Sequence, residues 1–188
     1  PQAVDDLIAI HGGNEIFTSR LEKLFTESSE ITGDNVSADI TGLIGQYAHG
    51  NEPSHHIAYM FNHANQPWRT QYWARHIMDT QYNTTPNGLS GNEDCGQMSA
   101  WYVLSSIGLY PMNPASGEYE IGSPIFEKST IKLPENKTFM IEAEYVSHTN
   151  FYIQSATLNG KPFTKTTLSH QDILKGGTLH FVMGNKPN

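Results

Sequence analysis

The sequence predicts an α+β chain: a helical half over residues 1–112, followed by an antiparallel β-sheet region over residues 113–188. Three observations carry this expectation. Across residues 4–110 the apolar residues recur at three- and four-residue spacing, as in Ile16, Leu21, Leu24 and Phe25, which is the helical period. Beyond Pro114 the texture changes to short alternating or β-branched runs at residues 130–133, 138–146, 151–158 and 178–183. Turn residues separate those runs: Pro134-Glu135-Asn136, Asn159-Gly160-Lys161 and Gly176-Gly177.

Five or six helices are expected in the first half. Val4, Leu7, Ile8 and Ile10 begin the periodic pattern at once. Asn14 is placed to cap a helix over 15–28, and Asp39 to cap one running through Tyr47. Glu52 precedes Pro53, a residue suited to the first helical position, and Pro67 opens a helix to about Tyr82 that carries Trp68, Tyr72, Ile77 and Met78. The last helix, over 96–109, places Met98, Trp101, Tyr102, Leu104 and Ile107 on its apolar positions and ends at Gly108 and Pro111. In the β half, Ser169-His170-Gln171-Asp172 has the form of a capping box opening one short helical turn.

Composition narrows the function. The chain has 188 residues, of which 37% are hydrophobic, 11% aromatic and 16% charged, a mixture that suits a folded core and uncharged, hydroxyl-rich ligands. The formal net charge is −8, and all the excess lies in the first part: residues 1–112 hold twelve Asp/Glu against four Lys/Arg, residues 113–188 seven against seven. Such a face repels a phosphate backbone, which argues against nucleic acid as a partner. No apolar run of about eighteen residues is present to span a membrane. Cys95 is the only cysteine, so no intrachain disulfide can form, and its acidic neighbours disfavour a nucleophilic thiolate. Three glycosylation triplets, at Asn35, Asn83 and Asn136, decide nothing. The start at Pro1-Gln2-Ala3, running directly into a helical pattern, reads as a piece of a longer chain.

Two loops carry the chemistry: His49-Gly50-Asn51-Glu52-Pro53-Ser54-His55-His56, and Gly91-Asn92-Glu93-Asp94-Cys95-Gly96-Gln97. Each joins glycines to polar groups that are costly to bury unless they are hydrogen-bonded or hold a ligand. Glu52 and Asp94 both precede helical segments, where unpaired N–H groups and the helix dipole favour a carboxylate over a carboxylic acid. A carboxylate so held can take a proton from water or bind a cation, but it donates poorly. The loops therefore resemble one half of an acid/base pair, such as the base side of inverting glycoside hydrolysis. Zinc is disfavoured because His55 and His56 are adjacent, not spaced at i and i+4. Oxygen donors at Asn51, Glu52, Asn92, Glu93 and Asp94 suit a hard cation such as calcium. The histidines either bond sugar hydroxyls and carboxylates or satisfy buried backbone groups. Trp68, Trp73 and Trp101 can stack on sugar rings, although at helical spacing such residues more often fill a core.

The residues are specific enough to carry a resemblance. Asp39-Ile40-Thr41-Gly42-Leu43-Ile44-Gly45-Gln46-Tyr47-Ala48-His49-Gly50-Asn51-Glu52-Pro53-Ser54-His55-His56 and Gly91-Asn92-Glu93-Asp94-Cys95-Gly96-Gln97-Met98-Ser99-Ala100-Trp101-Tyr102 resemble glycoside hydrolase family 92. The likeness continues through Gly108-Leu109-Tyr110-Pro111 to Tyr119-Glu120-Ile121-Gly122-Ser123-Pro124 and fades in the β tail. It implies part of a calcium-dependent, inverting exo-α-mannosidase that removes terminal mannose from glycans, with α-1,2 the expected linkage. It implies further that the helical half is part of an (α/α)6 barrel sharing the active site with an N-terminal domain absent from this chain.

By the same likeness Asp94 is the general base, supported by Glu93 as a second catalytic residue. His49, Glu52, His55, His56, Asn92 and Gln97 contact substrate, and Asn51, Glu52 and Glu93 hold Ca2+. The family pattern often has Asp where this chain has Glu93, a change that keeps the charge. The general acid is expected just upstream of residue 1, so the chain alone should be inactive. A secreted or periplasmic location follows from the resemblance. A partial barrel exposes helix faces, so a homodimer is a further expectation. The reading from another class is a non-catalytic carbohydrate-binding or scaffold module.

Overall fold

The computed structural model describes residues 1–37 and 40–188. Among the described residues four α-helices occupy the first half, fewer than the five or six expected: α1 (Val4–Ile10), α2 (Asn14–Thr26), α3 (Pro67–Gln81) and α4 (Gln97–Ser106). Gly12 (φ 93°) and Gly13 (φ 101°) turn the chain between α1 and α2, a conformation that glycine adopts without a Cβ penalty. Gly13 therefore stands at the N-cap, and Asn14, expected as the cap, is the first helical residue. α3 opens at Pro67 as expected, with Pro filling a position whose N–H has no intrahelical acceptor. Among the described residues no helix is long and apolar enough to cross a membrane.

The expected helix ending at Tyr47 is instead a hairpin of β1 (Leu43–Ile44) and β2 (Tyr47–Ala48), with Asp39 lying outside the described residues. Glycine decides the outcome. Gly45 sits at the first turn position with φ 60°, and a Cβ there would meet Phe25 backbone atoms at 2.5–2.6 Å. The single helix expected at Pro53 is likewise replaced, by two 3-10 turns at Glu52–Ser54 and Ile57–Asn62, with Asn51 and not Glu52 at the first cap. Residues 58–62 are all buried, so packing against α3 holds this segment where an exposed helix would show a polar stripe.

The second half contains β3 (Leu109–Tyr110), β4 (Glu118–Ile121), β5 (Lys128–Lys132), β6 (Thr138–Glu144), β7 (Tyr152–Leu158), β8 (Lys161–Pro162), β9 (Thr167–Ser169), α5 (His170–Leu174) and β10 (Gly177–Gly184). They build a three-stranded sheet in the order β3-β4-β9 and a five-stranded sheet in the order β5-β6-β10-β7-β8. The pairing is antiparallel with one departure from expectation: β10 runs parallel to β6, inserted between β6 and β7. β6 buries alternate residues Phe139, Ile141 and Ala143, and β10 buries Leu179, Phe181 and Met183. Ser169 caps α5 as the capping-box pattern predicts, accepting from the Asp172 N–H at 3.1 Å.

The buried apolar residues form two clusters. One lies under the helices around Phe25, Tyr47, Tyr59, Phe61, Trp73, Ile77 and Trp101, the other under the sheets around Phe139, Ile141, Leu168, Leu179 and Phe181. Polar ties join them: Arg75 donates to Pro124 O at 2.7 Å, Gln71 accepts from Ile153 N at 3.0 Å, and Asn62 donates to Glu120 Oε2 at 2.7 Å.

Candidate active site

The two sequence-marked loops meet at their glycines. A Cβ built on Gly91 would lie 2.8 Å from Gly50 Cα and closer still to the Gly50 carbonyl oxygen, so the two backbones touch where any side chain would part them. Glu52 and Asp94 therefore lie on loops with a common root. Neither is among the residues lining the cavity of about 590 Å³ beside the second loop, which takes Glu93, Tyr82, Ser99 and Tyr102.

Beneath the loops lies an aromatic floor. Tyr82, at the C-terminal end of α3, stacks on Trp101 with ring centroids 5.9 Å apart, and His49 packs edge-on to Trp101 at 4.5 Å. His49 is fully buried, with Nδ1 2.8 Å from the Tyr47 hydroxyl and Nε2 2.6 Å from that of Tyr82. Burial, and then the neighbouring His55, lowers its pKa to about 3. His55, also buried, bonds the His49 carbonyl at 3.0 Å through Nε2 and meets Gln97 Nε2 at 3.2 Å through Nδ1. Trp101 Nε1 donates to the His55 carbonyl at 3.0 Å.

These contacts revise three expectations. His49 and His55, expected to touch substrate, have every ring nitrogen engaged inside the protein and act on the loop's shape. Gln97 is likewise held by His55, although its side chain is exposed. Trp101 is core, offering no face for a sugar. Tyr47, Tyr82 and Trp101, far apart in sequence, close around His49 only in the fold, so no local sequence signal marked the imidazole as buried. His56, by contrast, is half-buried, and burial lowers its pKa.

The second loop is strained. Asp94 (φ 44°), Cys95 (φ 58°) and Gly96 (φ 93°) are three successive left-handed residues leading into α4, and only the last is glycine. Glu93 clips this turn: Oε1 accepts from the Ser99 N–H at 2.9 Å and Oε2 from the Ser99 hydroxyl at 2.7 Å. Those bonds hold the Glu93 carboxyl below the usual range. Glu93, expected as catalytic partner and metal ligand, in this structure also clamps the N-terminal turn of α4. Asn92 and Asp94 are exposed.

Glu52 is half-buried, and its Oε1 is buried without a hydrogen-bond partner. An orphaned carboxylate oxygen is costly, and a hydroxyl donor or hard cation would satisfy it. For calcium the fit is partial: Glu52 supplies a suitable oxygen, but among the described residues no group of three His, Cys, Asp or Glu side chains gathers to hold a metal ion. Of the expected trio of Asn51, Glu52 and Glu93, Glu93 also accepts two hydrogen bonds from Ser99, one at each carboxylate oxygen.

Comparison with known proteins matches residues 1–185 to the glycosyl hydrolase family 92 catalytic domain. The chain belongs to glycosyl hydrolase family 92. A family GH92 α-mannosidase from Bacteroides thetaiotaomicron in complex with mannoimidazole has TM-score 0.87 and 47% identity, with 94% of this chain and 23% of that chain covered. A family GH92 inverting mannosidase from the same organism has TM-score 0.84 and 38% identity, covering 98% and 26%. An uncharacterized secreted glycosidase of Arthroderma benhamiae is 32% identical over 189 residues. This chain spans 22% of that relative's length. Its solved relatives in that family include α-mannosidases, of whose length it spans about a quarter.

Proposed function

We propose that this chain carries the base side of an inverting exo-α-mannosidase that removes terminal α-linked mannose from glycans, with α-1,2 as the first linkage to test. The observation that carries the reading is the contact of Gly50 with Gly91, which gives the Glu52 and Asp94 loops one root. Asp94, exposed at the head of α4, takes the proton of the attacking water. Inversion calls for a general acid about 6.5–9.5 Å away across the scissile bond. That acid is drawn from another part of the parent protein, because the two loops supply only the base side.

Glu52 Oε1 receives a sugar hydroxyl or calcium, with Asn51 beside it and the remaining ligands drawn from outside this chain. When bound, calcium supplies a hard positive charge for ring hydroxyls. His49, His55 and Gln97 shape the loops; His56 and Asn92 remain available to the sugar. Residues 1–112 would form part of an (α/α)6 barrel and residues 113–188 a separate β region. Ile10 and Val103, 82% and 59% exposed, would be covered by the parent's N-terminal domain or by a second copy. Export to the periplasm or beyond fits the secreted relative. Without the acid the chain alone is inactive.

The test is hydrolysis of an aryl α-mannoside by the full-length parent enzyme. Asp94→Asn should lower kcat by about 10²–10⁴-fold, the usual contribution of a general base. Glu52→Gln and a calcium chelator should each raise KM or abolish turnover. Near-normal rates in Asp94→Asn remove the base assignment. Saturable mannose binding without turnover in the unaltered parent would favour a carbohydrate-binding module instead.

A further inference from the structure

We propose that Tyr82 is a positioning residue: with Tyr47 and His49 it forms a hydrogen-bond chain of fixed direction that locks the Glu52 loop to the first turn of α4 and so sets where Asp94 points. This deepens the mannosidase reading and rests on it.

The direction follows from what each atom can do. The Met98 carbonyl only accepts, so the Tyr82 hydroxyl gives it its single proton over 3.1 Å. Having donated that proton, the Tyr82 oxygen can only accept at its 2.6 Å contact with His49 Nε2, which must carry hydrogen. With the ring hydrogen on Nε2, Nδ1 is the accepting nitrogen, and the Tyr47 hydroxyl donates to it over 2.8 Å. The chain thus runs Tyr47 to His49 to Tyr82 to Met98, with one permitted polarity.

His55 repeats the logic beside it. Its Nε2 donates to the His49 carbonyl, so its Nδ1 accepts from the Gln97 amide. Tyr82 belongs to neither loop. It stands at the end of α3, a rigid element, and reaches the carbonyl of the second residue of α4. Immediately before that turn lie the left-handed residues Asp94, Cys95 and Gly96. A run of that kind persists only where the surroundings overdetermine it, and the Tyr82–Met98 bond is one of those surroundings.

The test uses the full-length parent enzyme and compares Tyr82→Phe, Tyr47→Phe and the double variant, with Asp94→Asn as reference. Tyr82→Phe should lower kcat about 10- to 100-fold with KM changed less than about twofold, the scale of a small misplacement of a reacting group. The midpoint of the acid limb of its kcat–pH profile should move. Titration with mannoimidazole should count a full complement of sites, so that the loss is not unfolded protein. The double variant should be no worse than Tyr82→Phe, because a chain already broken has nothing further to lose.

Unchanged kcat with an unshifted profile in Tyr82→Phe overturns the proposal, as do losses that multiply in the double variant. Should Tyr82→Phe fail to fold, Tyr47→Phe decides: a lowered kcat supports the chain and an unchanged one overturns it. Full activity of Asp94→Asn would overturn both the base assignment and the chain's purpose. An inactive Asp94→Asn beside an unaffected Tyr82→Phe would overturn the chain alone.

Discussion

At the scale of single residues, the site is governed by which polar atoms have partners. Glu93 has two, both on Ser99, and Glu52 Oε1 has none. Ser99→Ala should therefore act at a distance: loss of the 2.7 Å bond frees one Glu93 oxygen and loosens the Asp94 turn. We expect a small fall in Tm, together with a several-fold loss of kcat in the parent enzyme. Differential scanning calorimetry and initial rates check both. Trp101→Phe should cost about 1–3 kcal/mol by leaving the buried His55 carbonyl without its indole donor, readable as a shifted denaturation midpoint. Glu52 and Asp94 stand out in the sequence because each precedes a helical segment among glycines. That His49 and His55 were internal was not legible there, because loop position suggested exposure while Tyr47, Tyr82 and Trp101, far apart in sequence, enclose them.

At the scale of elements, close backbone contact decides where the chain bends. α3 and α4 follow from Pro67, Gly96 and their apolar spacing, and α5 from the Ser169 cap, so their starts could be read from sequence, whereas α4 ends at Ser106 and the expected last helical residue, Leu109, lies in β3. The β1–β2 hairpin could not. Ile40, Leu43, Ile44 and Tyr47 keep helical spacing, and only the approach of Gly45 to Phe25 selects the turn. β10 is similar, since nothing in its alternating pattern distinguishes a parallel neighbour from an antiparallel one. Gly91→Ala tests the same physics at the site. The new methyl would meet backbone, which cannot swing aside, so we expect a destabilisation of about 1–3 kcal/mol, the ordinary cost of overpacking, measured by denaturant midpoint. The loops should part as well, lowering kcat more than Ser99→Ala does.

At the scale of the whole molecule, a charged clasp joins the helical and sheet halves. His63 lies 2.9 Å from Glu120 Oε1 in β4 and 3.4 Å from Asp5 Oδ1 in α1, and Glu120 is buried. The bond to Glu120 is the main reason the His63 pKa rises above its ordinary 6.5. A raised folded pKa means the folded state holds the proton more tightly than the unfolded one. The stabilisation is complete below pH 6.5 and is lost as pH rises through the folded value. Tm should decline over that interval from about pH 6.5 upward, and His63→Gln should flatten the slope. The family match extends over residues 1–185, and the chain spans about a quarter of the length of its solved relatives.

The most direct measurement is a crystal structure of the full-length parent enzyme with mannoimidazole bound. The account predicts the sugar mimic above the contact of Gly50 with Gly91, with Glu52 Oε1 within hydrogen-bond or metal distance of its hydroxyls, about 3.2 Å or less. Asp94 should hold a water aimed at the anomeric carbon. A ligand seated elsewhere, with Asp94 facing bulk solvent and Glu52 Oε1 still without a partner, would contradict it.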